Sequence, residues 1–170
     1  MYKIIDNFLN ENELKTILKA INNNNFFWFL IEKANYNSDE GDFQFMHTFI
    51  KNGQINSDFF SYCKPIYEKI IQIYKKPIHI GNARVNLFLK VNKKKGLGFH
   101  KDITDNKNVF TFLYYLENSN GYTEFENGEI IESKKNRAVF FNSDLLHQTV
   151  MQTDVLFRKN ININFMETND

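Results

Sequence analysis

The strongest constraint on the fold is a change of hydrophobic period partway along the chain. Up to about residue 75 the chain looks mixed, with helical spacing after Asn10 and after Ser57, and from residue 78 the apolar residues alternate. In residues 78–91, Val85, Leu87, Leu89 and Val91 fall on one face and Arg84, Asn86, Phe88 and Lys90 on the other. That period of two belongs to a strand with one buried face. Further β-rich runs follow at 109–116, 121–125, 138–141, 147–151 and 157–165. Turn-forming stretches separate them: Lys95-Gly96-Leu97-Gly98, Asn118-Ser119-Asn120-Gly121 and Asn127-Gly128. Many short strands at close spacing predict a sandwich or jelly roll. Earlier in the chain, residues 2–8 read as a short strand. Asn10 is placed to cap a helix with Glu13 as its capping-box partner, and Leu14, Ile17, Leu18 and Ile21 follow at helical spacing. Ser57 is a second capping position, followed by Phe59, Phe60, Tyr67, Ile70 and Ile71, and Pro65 should kink that stretch or start a new helix. The expectation is an α+β, mainly β chain. Residues 1–75 supply a strand and helices packed on one sheet, and residues 76–166 a jelly roll of about eight strands.

The 170 residues suit one domain, residues 1–170. With 42% hydrophobic residues, 18 of them Phe, the chain can bury a core, which excludes disorder. Twenty-one basic residues against 20 acidic leave +1, so no strong pull on nucleic acid or anionic membrane is expected. Cys63 has no second cysteine to pair with, which fits a reducing compartment. The apolar run 26–31 is far short of the ~20 residues that span a bilayer. Asp6 and Glu11 stand where a secretory leader would be apolar. A cytoplasmic location is expected, in a host cytoplasm if the source is viral.

Two of the four histidines sit in an informative arrangement. On a strand, His100 and Asp102 would point to one side, i and i+2, and could hold one metal ion. His147 lies 45 residues on, at the start of a β-run that a sandwich can bring alongside. Two histidines and one carboxylate form the facial triad of non-haem Fe(II) oxygenases. The bland alternative is a polar surface turn. Arg158 lies 11 residues past His147, and alternation puts it with Asn160, Asn162 and Asn164 on one face, opposite Ile161, Ile163 and Phe165. A buried Arg needs an anion, and a carboxylate suits its fork. That anion is either one of the chain's acids or a dicarboxylate ligand.

At these residues the sequence resembles the 2-oxoglutarate and Fe(II)-dependent oxygenases of the prolyl-hydroxylase-like branch, especially the small versions found in phages. The resemblance runs in order through MYKIIDNFLNENELKTIL, GFHKD, TFLYYLE, NGYTEFENGEIIESKKNRAVFF, SDLLHQTV and RKNININF. It implies a double-stranded β-helix, the cupin-like jelly roll. It implies that His100, Asp102 and His147 bind Fe(II) and that Arg158 pairs with the distal carboxylate of 2-oxoglutarate. Tyr115 matches a tyrosine that donates to the same carboxylate, with Tyr114 facing away. Asn86 belongs to an element that reaches the cosubstrate near the metal. The bland readings are a core aromatic for Tyr115 and a plain strand residue for Asn86. The implied reaction turns 2-oxoglutarate and O2 into succinate and CO2 while hydroxylating a substrate C–H bond, with ascorbate as a further cofactor of the family. The implied substrate is a protein or peptide side chain, a prolyl residue above all, or a small molecule.

Two departures stand out. The strand before His100 reads Asn86-Leu87-Phe88, without the hydroxyl the family often carries there, and one glycine of a common pair is replaced, leaving Gly121-Tyr122. Competing readings are a nucleobase-modifying oxygenase, whose arginine sits further past the second His, a non-catalytic jelly-roll module, and a cupin of other chemistry. His47 and His79 read as packed or exposed, with His79 able to line the mouth of the site. Cys63 has no His nearby to activate it, and Phe26, Phe27 and Trp28 read as core. Substrate choice is expected in the loops between residues 24 and 57 and around 93–98, and nothing marks an oligomer interface.

Overall fold

The computed structural model describes residues 2–103 and 108–168. The chain runs β1 (Tyr2–Ile5), α1 (Glu11–Ile21), β2 (Phe29–Ile31), β3 (Gln44–Lys51), β4 (Gln54–Ile55), a 3-10 helix (Asp58–Cys63), α2 (Lys64–Tyr74), β5 (Ile78–Leu89), β6 (Val109–Tyr115), β7 (Tyr122–Phe125), β8 (Ile130–Glu132), β9 (Arg137–Asn142), β10 (His147–Val150) and β11 (Phe157–Glu167). A large sheet has the order β1-β9-β6-β11-β5-β3-β2, with β4 on β3, and a small one the order β10-β7-β8. Their described pairings are antiparallel. The fold is a double-stranded β-helix with two helices on its larger sheet.

The capping box forms as the sequence predicts. Asn10 Oδ1 accepts from the Glu13 amide at 3.0 Å, and Glu13 Oε2 accepts from the Asn10 amide at 2.8 Å. Two donors left unpaired at a helix start are thereby satisfied. Ser57 caps the 3-10 helix, and Pro65 stands in the first turn of α2, where its missing N–H costs nothing. Ile17, Ile21, Ile66 and Ile70 from the helices meet Val85, Phe112, Ile161 and Ile163 from the large sheet in one core. At roughly 1.5–3 kcal/mol per large apolar side chain, this layer is the main source of stability.

The other face of the large sheet is divided. Over β6 and β9 the small sheet closes a second core of Leu113, Tyr115, Phe125, Ile131, Val139 and Phe141. Over β5 and β11 the same face is polar, with Asn86, Arg158, Asn160, Asn162 and Asn164 all buried. A narrow cleft opens there, lined by Arg84, Asn86, Phe88, Asn160 and Asn162. Residues 24–57 are not loop throughout, because they contribute β2, β3 and β4. β3 alternates around its own axis, His47 and Phe49 turned to the helices and Gln44 to the cleft. In the sequence Phe45, Met46, Phe49 and Ile50 are apolar on both faces and blur that period.

Candidate metal centre

His100, Asp102 and His147 come together with their ligand atoms all within 4.8 Å of one another. His100 Nε2 lies 3.9 Å from Asp102 Oδ1, and His147 Nε2 lies 4.0 Å from Asp102 Oδ2. The local backbone differs from the expected strand. His100 and His147 face each other as an isolated antiparallel bridge, exchanging N–H···O bonds of 2.9 and 3.0 Å, and Asp102 follows in a bend. The preceding stretch is held instead by residues 35–38. Asn35 Nδ2 and Ser38 Oγ both donate to the Leu97 carbonyl, each at 2.8 Å, and Asn37 Nδ2 donates to that of Phe99 at 2.6 Å. Gly98 permits this approach: its φ is +87°, and a Cβ there would lie 2.5 Å from the Asn37 carbonyl oxygen.

The surroundings suit a cation. Nδ1 of His100 lies 3.3 Å from the Gly98 carbonyl oxygen, and Nδ1 of His147 lies 2.9 Å from that of Leu145. A carbonyl can only accept, so each ring carries its proton on Nδ1 and turns the Nε2 lone pair inward. Asp102 Oδ2 accepts from Thr111 Oγ1 at 2.7 Å, Asn162 Nδ2 at 3.1 Å and Asn164 Nδ2 at 3.3 Å, which fixes the carboxylate. The triad fits a divalent metal of the non-haem iron type.

Burial, and then the neighbouring His147, lower the pKa of His100. Burial alone would raise that of Asp102, but His147, Arg84 and the Thr111 hydroxyl outweigh it and hold the carboxyl at about 2. Asp102 therefore stays ionised across the working range, and His100 stays neutral to a lower pH than a free imidazole. Metal binding requires neutral rings. Fe(II) affinity is expected to hold above the ordinary histidine value of 6.5 and to fall as pH drops below the lowered value of His100. The folded state resists protonating His100 where the unfolded chain accepts the proton, so stability of the metal-free protein also falls as pH drops through 6.5. Metal titrations and thermal melts between about pH 5 and 8 measure both effects.

Arg158 is fully buried, and its Nε, Nη1 and Nη2 have no hydrogen-bond partner among the described residues. The nearby acids are engaged elsewhere: Glu117 pairs with Lys159 at 2.8 Å, and Asp154 accepts from the Asn120 amide. Burial lowers the Arg158 pKa to about 10, so the group remains a cation at neutral pH. It lies one side chain beneath the cleft wall, its Cζ 5.0 Å from the centre of the Phe88 ring, which does line the cleft. Tyr115 is also fully buried, donates to Thr123 Oγ1 at 2.7 Å and is pushed by burial to about 12, so it keeps its proton. Tyr114 faces the helix-side core, as expected. Asn86 lines the cleft; its Nδ2 donates to Asn160 Oδ1 at 3.0 Å, and its Oδ1 has no hydrogen-bond partner among the described residues. Gly121 leaves room for Arg158. A Cβ there would lie 3.1 Å from Arg158 Cζ and 3.0 Å from the Val150 carbonyl oxygen. Gly121→Ala is expected to displace the guanidinium and weaken anion binding at Arg158 by about tenfold, from ~1–3 kcal/mol of overpacking, read by ligand titration.

The remaining candidates fall outside the site. His47 is buried, with Nδ1 2.7 Å from the Phe27 carbonyl oxygen and Nε2 2.8 Å from Ser57 Oγ. His79 is exposed beside Gly53 and does not line the cleft. Burial pushes the Cys63 thiol up to about 12, far from a nucleophile. Phe26 is core, but Phe27 is 67% exposed. Residues the sequence did not single out support the site: Thr111, Asn162, Asn164 and Arg84 all contact Asp102. The Asn164-Asn162 alternation on β11 was the available signal. Arg84 was legible as a charge on the cleft face of β5, without a partner to give it meaning.

No protein-family model matches the sequence, and no curated protein matches it. Solved structures share its fold. One is a 2OG-Fe(II) oxygenase-family oxidoreductase from Burkholderia pseudomallei, with a TM-score of 0.73 at 10% identity over 99% of this chain and 86% of that one. A second is a prolyl hydroxylase from Trichoplax adhaerens in complex with a hypoxia inducible factor peptide fragment, at 0.69 and 15% over 98% and 83%. A third is the viral collagen prolyl hydroxylase of Paramecium Bursaria Chlorella virus-1 with 2OG, at 0.62 and 17% over 98% and 96%. At these identities the likeness establishes the fold, and the chemistry rests on the side chains.

Proposed function

We propose that the protein is an Fe(II)- and 2-oxoglutarate-dependent oxygenase that hydroxylates a C–H bond. The observation that carries this reading is Arg158: a buried guanidinium whose three nitrogens have no hydrogen-bond partner among the described residues, packed on Phe88, which lines the cleft together with His100 and His147 of the triad. A buried cation without a counter-ion is costly, and a carboxylate ligand would relieve that cost. A dicarboxylate anchored at Arg158 with its keto-acid end at the triad satisfies both features at once.

His100, Asp102 and His147 would hold the iron. When bound, the iron supplies O2 activation coupled to decarboxylation of 2-oxoglutarate, giving succinate, CO2 and a hydroxylated substrate. The chain's own residues bind and orient. Arg158 takes the distal carboxylate, and Tyr115, still protonated, turns its hydroxyl from Thr123 to the same group. Asn86 offers its amide near the reactive end. Phe88, which stands where a hydroxyl is common in the resembling family, must turn aside for the carboxylate to reach Arg158. The residues on Asp102 and the backbone carbonyls on both imidazoles keep the ligand atoms aimed inward.

The substrate class follows the fold relatives: a peptide side chain, as in prolyl hydroxylases, or a small molecule. Residues 1–170 act as one catalytic domain in this reading, and the buried thiol of Cys63 fits a reducing cytoplasm. No helix among the described residues is long and apolar enough to cross a membrane. The test is succinate formation in air from Fe(II), ascorbate and 2-oxoglutarate, followed by chromatography. Slow uncoupled succinate is expected, accelerated by the true substrate. Iron bound tightly with no succinate at any 2-oxoglutarate concentration would point to a metal-binding cupin of other chemistry.

A further inference from the structure

A second arginine faces the cleft, and 2-oxoglutarate anchored at Arg158 leaves it unaccounted for. Arg84 lies on β5 four residues before Phe88, whose partner across the ladder is Arg158. At ~3.3 Å per residue the two arginines mark positions about 13 Å apart along the sheet. Arg84 lines the cleft, and its side chain is 34% exposed. Its Nε is buried without a hydrogen-bond partner among the described residues. Its one ion-pair contact among the described residues is Asp102 Oδ1, with Nη2 at 3.7 Å, too long for a hydrogen bond. Opposite it on β11 stands Asn162, whose Oδ1 also has no hydrogen-bond partner among the described residues, and opposite it on β3 stands Thr48, half-buried.

Among the described residues, the charges at the site do not balance without a further anion. A divalent ion on the triad commits the charge of Asp102. The distal carboxylate of 2-oxoglutarate belongs to Arg158. Arg84 then faces a metal centre with no counter-ion of its own among the described residues. It also lies on the side of the large sheet next to β3, outside the core that the small sheet covers.

Resting on the function proposed above, we propose that Arg84 recognises a carboxylate on the prime substrate, so that the substrate is an acid carrying this group close to the oxidised C–H bond. Thr48 and Asn162 flank that carboxylate as further polar partners. The alternative source of the same chemistry is the metal-bound end of 2-oxoglutarate.

The chain holds three arginines, Arg84, Arg137 and Arg158, so protein labelled with ¹⁵N-arginine shows three Nε–H signals. Arg84→Lys assigns one of them. Should that variant not fold, Arg137→Lys and the response of Arg158 to 2-oxoglutarate leave the Arg84 signal by elimination. The full chain is loaded with Zn(II) as a silent stand-in for iron, saturated with 2-oxoglutarate and titrated with acetate or, in parallel, acetamide. The expected result is that 2-oxoglutarate shifts Arg158, and acetate then shifts Arg84 while acetamide does not. An Arg84 signal that moves with 2-oxoglutarate and not with acetate overturns the proposal in favour of the cosubstrate. One that moves with neither makes Arg84 only a structural partner of Asp102, and one that moves equally with acetamide excludes selection for charge. An Arg158 signal indifferent to 2-oxoglutarate would overturn the underlying function, a separate failure.

Discussion

Arg158→Met is expected to raise the 2-oxoglutarate concentration for half-maximal succinate formation by at least about a hundredfold while Fe(II) still binds. Each charge-assisted bond is worth ~1.5–3 kcal/mol, and a bidentate guanidinium–carboxylate pair has two. The same substitution carries a second, less ordinary expectation. Without ligand, the wild-type protein buries a guanidinium with no hydrogen-bond partner among the described residues. Methionine has a similar volume, a shorter side chain and no charge, so the variant should be the more stable of the two when both are ligand-free, by ~1 kcal/mol or more. For a domain of this size that is about 2–4 °C in Tm. Adding 2-oxoglutarate at ~100 times the wild-type Kd should stabilise the wild type by ~2.7 kcal/mol and the variant by no more than ~0.4 kcal/mol. Thermal melts of both proteins with and without 2-oxoglutarate check this. A variant that melts lower than the wild type in every condition would mean that Arg158 is structural.

His147→Ala removes one of three ligands and is expected to reduce succinate formation to background and weaken Fe(II) binding by more than about a hundredfold, since losing even an outer partner costs 10–100-fold. The control is His47→Gln. That ring is just as buried, but its two nitrogens are satisfied by Phe27 and Ser57. Its loss should lower thermal stability and leave the iron stoichiometry unchanged. Equal loss of iron in both variants would show a general unfolding effect and remove His147 from the metal site. Equilibrium dialysis against Fe(II) under argon distinguishes the two outcomes.

Much of the architecture was legible because its residues obey one period at a time. The alternation of β5 and β11 sorts Val85 and Ile161 to the helix side and Asn86 and Asn162 to the cleft, and the structure keeps that sorting. The Asn10–Glu13 box is a purely local signal and needs no tertiary information. β3 escaped because it is apolar on both faces, covered by helices on one side and half-covered on the other. The convergence of His100 and Asp102 was read from the wrong local geometry. Their approach depends on the bridge between His100 and His147 and on contacts from Asn35, Asn37 and Ser38, all distant in sequence. Arg158 was legible as a buried cation that needs an anion. Its lack of a protein partner depends on Glu117 being taken by Lys159, which only the folded chain reveals.

The most direct test of the central claim is an anaerobic titration of Fe(II)-loaded protein with 2-oxoglutarate, watching for the weak visible metal-to-ligand charge-transfer band of a chelated keto acid. The band is expected in the wild type at modest 2-oxoglutarate, displaced to far higher concentrations in Arg158→Met and absent in His147→Ala, with succinate released when air is admitted. A wild-type protein that binds iron yet shows no band at saturating 2-oxoglutarate would contradict the account.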